Sequence, residues 1–161
     1  MPTVTIRKTT DADRPVLLRF ILDLNTLEAA FEQDRRIDDA FAATTLDWSL
    51  AKVRDGGGVA LIAVDSAEGA VGWVAAHSEP YPPYVRSETA AFGYVAELYV
   101  VPTWRGRGVG RALIGAVGAH FRDQGHKHIM IGALAGNGDA RTAYKALGFR
   151  PYAVEYVMEL G

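Results

Sequence analysis

The sequence contains no cysteine, and this absence excludes several kinds of chemistry at once. A chain without cysteine forms no disulfide framework, no thiolate zinc site and no cysteine nucleophile. The absence also fits a reducing compartment. The 161 residues are 49% hydrophobic and 22% charged, a balance typical of ordinary globular proteins. We therefore expect a single domain over residues 1–161, with a core that needs no cross-links.

The sequence also has no long apolar run and no large excess of charge of one sign. Its longest apolar stretch, Val59–Val64, is far shorter than the roughly 20 residues of a membrane span. The first fifteen residues have neither a secretory signal nor the Arg/Ser bias of a transit peptide. A formal net charge of −2 argues against a protein that coats nucleic acid or anionic membranes. These features predict a soluble, cytoplasmic protein without nucleic-acid or membrane partners.

Hydrophobic periodicity and turn residues predict an α/β protein with a mixed sheet. The predicted strands cover residues 3–8, 59–64, 71–77, 94–101, 127–134 and 152–160. The predicted helices run from Asp11 or Asp13 to about 25, within 37–53, and over 109–121 and 139–147, the last stopped by Gly148. Three prolines predict an irregular segment at Glu79–Arg86.

The order of these elements predicts how the sheet is built. Strand, helix and strand over 94–134 indicate a right-handed crossover between two parallel strands. The remaining strands are close enough in sequence to pair antiparallel. The expected fold is a mixed, mostly antiparallel central sheet with helices on both faces.

The most informative segment is VPTWRGRGVGRAL, residues 101–113, between a predicted strand and a predicted helix. It alternates glycines and arginines: Arg105, Gly106, Arg107, Gly108, Gly110 and Arg111. Glycine allows close approach of a ligand to the backbone, and the free N–H groups of a helix start attract anions. The segment is therefore typical of a phosphate or pyrophosphate site.

Other interpretations of this segment are a tight turn with solvated arginines and an RNA-binding surface. Its position between strand and helix argues against the first, and the lack of a wider basic face argues against the second. A dinucleotide fingerprint would need a third glycine where Arg111 stands, and no GxxxxGK[ST] motif occurs.

The segment Arg105–Gly110 resembles the acetyl-CoA pyrophosphate motif, Gln/Arg-x-x-Gly-x-Gly/Ala, of the GNAT superfamily of N-acetyltransferases. A second signature of that family, N-x-x-A-x-x-x-Y-x-x-x-G-F, matches NGDARTAYKALGF through Asn137, Ala140, Tyr144, Gly148 and Phe149. Both motifs stand in the family's order and, with the preceding strand, cover about residues 94–149. The resemblance implies a GNAT-like acyl-CoA N-acyltransferase fold, whose parallel strand pair is splayed apart.

The resemblance also implies how acetyl-CoA binds. Pantetheine would pair with the main chain of Leu98, Tyr99 and Val100 in the gap between the splayed strands. Asn137 would bind the cofactor arm near the thiol, although capping of the following helix is an alternative role. The pyrophosphate would contact the amides of Arg105, Gly106, Arg107, Gly108, Val109, Gly110 and Arg111.

The resemblance assigns two catalytic side chains. Tyr144 matches the tyrosine that protonates the departing thiolate, which a phenol can do because its pKa exceeds that of a thiol. The alternative is a core aromatic. Glu97, in an apolar strand, resembles the glutamate that deprotonates the amine directly or through water; the alternative is a glutamate solvated at the sheet edge.

The expected function is direct acetyl transfer from acetyl-CoA to a primary amine within a ternary complex. Cysteine and a G-x-S-x-G motif are both absent, which argues against a covalent acyl-enzyme. The histidines show no metal-ligand spacing, so no metal is expected. The acceptor is a small-molecule or peptide amine, and a homodimer is a family-level expectation. The alternative function is a non-catalytic acyl-CoA-binding sensor.

Overall fold

The computed structural model describes residues 3–161, which form one five-stranded sheet flanked by four α-helices. Two short 3₁₀ turns, 11–13 and 102–104, complete the regular structure of this part of the chain. In chain order the elements are β1 (Thr5–Lys8), α1 (Arg14–Glu28), α2 (Asp39–Asp55), β2 (Val59–Asp65), β3 (Gly69–Pro80), β4 (Ala91–Val100), α3 (Val109–Asp123), β5 (Ile129–Ile131) and α4 (Gly138–Leu147).

The strands lie in the order β1-β2-β3-β4-β5. The first three pairings are antiparallel, and β4 pairs with β5 in parallel. A parallel pair needs a crossover connection, and α3 provides it. The predicted mixed, mostly antiparallel sheet is therefore confirmed.

Apolar side chains cover the sheet on both faces. On one face, Leu113, Val117 and Phe121 of α3 are fully buried at the four-residue spacing of a helical stripe. On the other face, Leu17 of α1 and Leu46 of α2 are buried against the sheet. The prediction of helices on both faces is thus confirmed.

Local capping signals define the ends of α4. The side chain of Asn137 accepts a hydrogen bond from the Ala140 N–H at 3.0 Å, so it is the N-cap. Gly148 has φ +102° at the C-terminus, a left-handed conformation that glycine adopts without strain. The predicted stop at Gly148 is confirmed.

The strand bounds differ from the predictions. β1 and β4 differ by up to three residues at an end, and three other predictions differ in ways that affect the sheet. β3 continues through Pro80 into the segment predicted to be irregular, where Pro80 pairs with Ala91. β5 is only three residues long, against a prediction of 127–134. Residues 152–160 form no strand, and all of 150–161 is exposed. Alternating apolar residues indicate a strand, but a strand forms only where a partner edge accepts it.

None of the helices in the part of the chain described is both long and apolar enough to cross a bilayer.

Candidate active site

β4 and β5 separate halfway along β4. β5 pairs only with Gly93, Tyr94 and Val95, and β4 then continues to Val100 without a strand on that side. The register with β3 shifts at the same place, because consecutive residues of β3 pair with Val95 and Glu97. Ala96 is therefore the extra residue of a β-bulge. The result is a slot beside Ala96–Val100, and the predicted splayed pair is present.

Main-chain groups of β4 point alternately to β3 and into the slot. The Val101 N–H donates to the carbonyl of Val71 at 2.9 Å, so Val101 and, by alternation, Tyr99 direct their main chain toward β3. Leu98 and Val100 direct theirs into the slot. Of the three residues predicted to bind pantetheine, Tyr99 therefore has its main chain turned away from the slot.

The turn after β4 forms a cradle consisting of residues 105–111. The N–H of Arg105, one of the amides predicted to contact the pyrophosphate, already donates to the Pro102 carbonyl at 3.2 Å, so the free amides of the cradle begin at Gly106. Gly106 and Gly108 have φ of +74° and +87°, which non-glycine residues rarely adopt. The first N–H of α3 that bonds to a carbonyl is that of Ala112, which donates to Gly108 at 3.0 Å. Within residues 3–161, the N–H groups of Val109 and Gly110 donate to no acceptor. Such a helix start can hold an anion.

The three arginines of the cradle also contact the protein itself. Nε of Arg105 donates to the Val100 carbonyl at 2.9 Å, and the Arg107 guanidinium lies 5.1 Å from the Trp104 ring centroid. Arg111 donates to the carbonyl of Ala146, near the end of α4, at 2.7 Å. The positive charges thus stay beside the cradle, while two guanidinium groups also tie elements together.

Glu97 lies on the face of the sheet that α2 covers, close to the place where β4 and β5 separate. The hydroxyl of Ser49, a buried residue of α2, donates to Glu97 Oε1 at 3.2 Å. Burial raises the pKa of Glu97 to about 7; the Ser49 hydrogen bond opposes this shift and the charge of Glu28 adds to it. A carboxyl with this pKa can take up a proton near neutral pH.

Tyr144 is half-buried on α4 and, in the described residues, its hydroxyl has no hydrogen-bond partner. Burial raises its pKa to about 12, and the charges of Glu28 and Tyr94 add to the shift. The charge of Glu28, the last residue of α1, thus raises the pKa of both Glu97 and Tyr144. The two predicted catalytic side chains come from β4 and α4.

Asn137 is buried and its Oδ1 caps α4, which confirms the alternative role considered for it. Its Nδ2 donates to no other group among residues 3–161. The amide therefore still has a donor to offer to a ligand while it caps the helix.

Comparison with known proteins now decides the family. The model of the acetyltransferase (GNAT) family matches residues 21–149, most of the chain. The protein belongs to the GNAT acetyltransferase family. The resemblance to this family that the two sequence motifs indicated is therefore confirmed.

Individual relatives are more distant. Aminoglycoside N(6')-acetyltransferase type 1 of Stenotrophomonas maltophilia is 38% identical over 63 residues, which are 39% of this chain and 41% of that protein. A mutant protein of Bacillus halodurans has a TM-score of 0.78 at 22% identity over 98% of each chain. A predicted acetyltransferase from Clostridium acetobutylicum, solved with acetyl-CoA, has a TM-score of 0.73 at 21% identity over 98% of this chain and 97% of that one. The two structures confirm the GNAT fold.

Two residues near the GNAT site escape sequence reasoning. Ser49 occupies a core-facing position of α2, in the stripe with Ala42 and Leu46. A polar residue in such a stripe is a signal that could have indicated a buried partner. Tyr94 lies three residues before Glu97, which in a regular strand puts the two side chains on opposite faces. The bulge puts them on the same face, since their cross-strand partners are His77 and Ala75.

Proposed function

We propose that this protein transfers an acetyl group from acetyl-CoA directly to a primary amine within a ternary complex. The observation that carries the proposal is the continuity of the slot with the cradle. The slot begins at the free amides of residues 106–111 and ends where β4 and β5 join, beside Glu97. An extended ligand with a pyrophosphate at one end and a thioester at the other matches this layout.

In this proposal acetyl-CoA binds mainly to backbone groups. The amides of residues 106–111 hold the pyrophosphate, because they are free donors at a helix start, whereas the Arg105 amide already donates to the Pro102 carbonyl. Leu98 offers its main-chain N–H and carbonyl to the slot, and Val100 offers its N–H, since its carbonyl accepts from Nε of Arg105. Nδ2 of Asn137 offers a side-chain donor. Tyr99, predicted from the sequence to bind in the same way, is not part of this set.

Glu97 and Tyr144 move the protons in the proposed reaction. Bound acetyl-CoA supplies an activated acetyl group as a thioester. Glu97 accepts a proton from the incoming ammonium, directly or through a water, since its pKa near 7 matches this task. Tyr144 stays protonated at neutral pH because its pKa is about 12, and its hydroxyl donates to the leaving sulfur. The two groups thus divide the base and acid roles.

We propose a cationic amine as the acceptor, either a small molecule or a peptide. Tyr94 lies on the same face of β4 as Glu97; burial raises the pKa of its hydroxyl, and the negative charges of Glu155, Glu79 and Glu97 raise it further. An ammonium group is attracted to such surroundings. The partial relative is named for aminoglycosides, so these polyamines are the first acceptors to test.

The test is an acetylation assay with a panel of amines, including aminoglycosides, polyamines and lysine peptides, followed by mass spectrometry of the products. We expect the mass of at least one amine to increase by that of one acetyl group, together with release of an equal amount of CoA thiol. Glu97→Gln should abolish most of both signals. Binding of acetyl-CoA without thiol release with any amine would instead support the non-catalytic sensor.

A further inference from the structure

A groove with a volume of about 390 Å³ lies between α2 and the end of β3. Its polar and aromatic lining residues are Trp48, Lys52, Asp55, His77 and Glu79. Ala75, His77 and Glu79 alternate along β3, so their side chains lie on one face of the sheet. Ala75 pairs with Glu97 and belongs to the core that α1 and α2 cover. The groove and the proposed base therefore share a face of the sheet.

The groove already holds an ammonium group, that of Lys52. Nζ of Lys52 lies 3.7 Å from Oε1 of Glu79 and 5.7 Å from the ring centroid of Trp48. An aromatic face and a carboxylate both attract an ammonium group. Trp48 and Glu79 together are called the cation site below.

A buried histidine holds Glu79 in place. Nε2 of His77 lies 2.8 Å from Oε1 of Glu79, and His77 is 3% exposed. Because an ionised carboxylate only accepts hydrogen bonds, the His77 N–H donates and fixes its orientation. Lys52, by contrast, has a long side chain that is 45% exposed, and exposed ion pairs contribute little to stability. A ligand ammonium group can thus replace Lys52 while Glu79 stays in position.

The surface between Glu97 and the cation site is formed by two rings. Tyr94 pairs with His77, and the ring centroids of these residues are 5.8 Å apart. Ring surfaces can pack against the hydrocarbon part of a ligand. Glu79 lies four residues beyond Ala75, the partner of Glu97, so the two carboxyl groups are on the order of 13 Å apart along the sheet.

We propose that the cation site binds a second ammonium group of the acceptor, in place of Lys52, while the reacting amine lies at Glu97. The position of the reacting amine rests on the proposed function. The acceptor class is then a polyamine with two ammonium groups that can lie on the order of 13 Å apart. A monoamine or a short diamine leaves the cation site to Lys52.

The first test is calorimetry of the full chain, in the presence of CoA, with three amines. 1,10-Diaminodecane is long enough to reach both carboxyl groups, and 1,4-diaminobutane is too short. 10-Aminodecan-1-ol has the length but only one ammonium group. We expect the long diamine to bind about tenfold more tightly than either of the others. Equal affinity for the long diamine and the amino alcohol would overturn the proposal.

Two substitutions should change the affinity for 1,10-diaminodecane in opposite directions. Glu79→Gln removes the charge of the carboxylate and should abolish the preference for the long diamine. Lys52→Met removes the competing ammonium group and should strengthen binding. Glu88→Gln, at an exposed position outside the groove, is the matched control and should bind like the wild type. A preference that survives in Glu79→Gln, or weaker binding by Lys52→Met, would contradict the cation site; circular dichroism checks that every variant folds.

Trp48 gives an optical signal from the cation site. Trp73 and Trp104 are buried, whereas Trp48 is 56% exposed. Acrylamide should therefore quench mainly the emission of Trp48, and bound 1,10-diaminodecane should protect it. We expect no protection by the amino alcohol and little quenching of Trp48→Leu. Quenching that 1,10-diaminodecane leaves unchanged, at concentrations where calorimetry shows binding, would place the second ammonium group elsewhere.

Kinetics separate this proposal from the proposed function. With 1,10-diaminodecane as acceptor, Glu79→Gln should raise KM and leave kcat nearly unchanged, because the second ammonium group is bound equally before and during acetyl transfer. Acetylation with a KM that Glu79→Gln does not change would contradict the cation site alone. The expected binding pattern without acetylation of any amine would contradict acetyl transfer alone.

Discussion

The two ends of the slot beside β4 present different chemical groups: main-chain groups at one end and side chains at the other. At the cradle, the groups available to bind a ligand are main-chain N–H groups, which glycines with positive φ leave exposed. At the other end, the proposed catalytic groups are the side chains of Glu97 and Tyr144, whose pKa values burial raises. Ligand binding by main-chain groups depends on the backbone conformation of the glycines and little on pH. Proton transfer by ionisable side chains depends on pH, and the loss of a single side chain can abolish it.

The largest effect is expected at the side-chain end. Glu97→Gln removes the proposed base while it keeps the shape of the side chain. We expect kcat/KM to fall by about 10²- to 10⁴-fold, with CoA affinity unchanged. In the wild-type protein, kcat/KM should rise with pH through about 7, as the Glu97 carboxyl loses its proton. A variant that keeps this rise would remove Glu97 from the base role.

The next largest effect is expected on CoA affinity, when the cradle end of the slot is changed. Gly108→Val forces a β-branched residue into φ +87°, a strain of about 1–3 kcal/mol that displaces the amides. We expect CoA affinity, measured by calorimetry, to fall by about 10- to 100-fold at every pH. Gly115→Ala is the matched control, since Gly115 lies further along α3 in open space. Equal affinity in both variants would contradict the cradle.

A third prediction separates stability from activity at Glu97. Its folded-state pKa, about 7, lies above the ordinary value of 4.5, so its contribution to stability is complete below pH 4.5 and is lost as pH rises through 7. Gln does not ionise. Chemical denaturation should show Glu97→Gln to be more stable than the wild type above pH 7, by up to about 3 kcal/mol. No difference across this range would mean that the buried carboxyl is better solvated than the structure indicates.

A smaller effect is expected at the proposed acid. Tyr144→Phe should lower kcat by about tenfold, since holding the two reactants together supplies much of the rate. Tyr84→Phe, a change at a side chain that is 86% exposed, is the control. Unchanged turnover of Tyr144→Phe at saturating substrate and across pH would remove the acid assignment.

The smallest effect concerns Ser49, which connects α2 to the side-chain end. Ser49→Ala removes the hydrogen bond that lowers the pKa of Glu97, so this pKa should rise further. We expect the rising limb of the pH profile to move to higher pH, by less than about one unit. Ser49→Thr, which retains a hydroxyl, should restore part of the shift. If the rising limb of the pH profile stays in place in Ser49→Ala, Ser49 contributes to packing only.

Much of the cradle end could be predicted from the sequence. The glycines and arginines of residues 105–111 stand next to each other in the chain, and the strand and helix around them have clear local patterns. The stop of α4 at Gly148 is equally local. These features depend on the conformational preferences of neighbouring residues, which a sequence displays directly.

The sequence by itself determined the four helices, the first five strands, the order of these elements, and the position of the cradle between a strand and a helix. Only the tertiary structure decided the bulge at Ala96, the contact between Ser49 and Glu97 across 48 positions, and the absence of a strand at residues 152–160. The reason is physical. Each of these depends on which distant backbone edge or side chain comes within hydrogen-bonding distance, and no local preference encodes that distance.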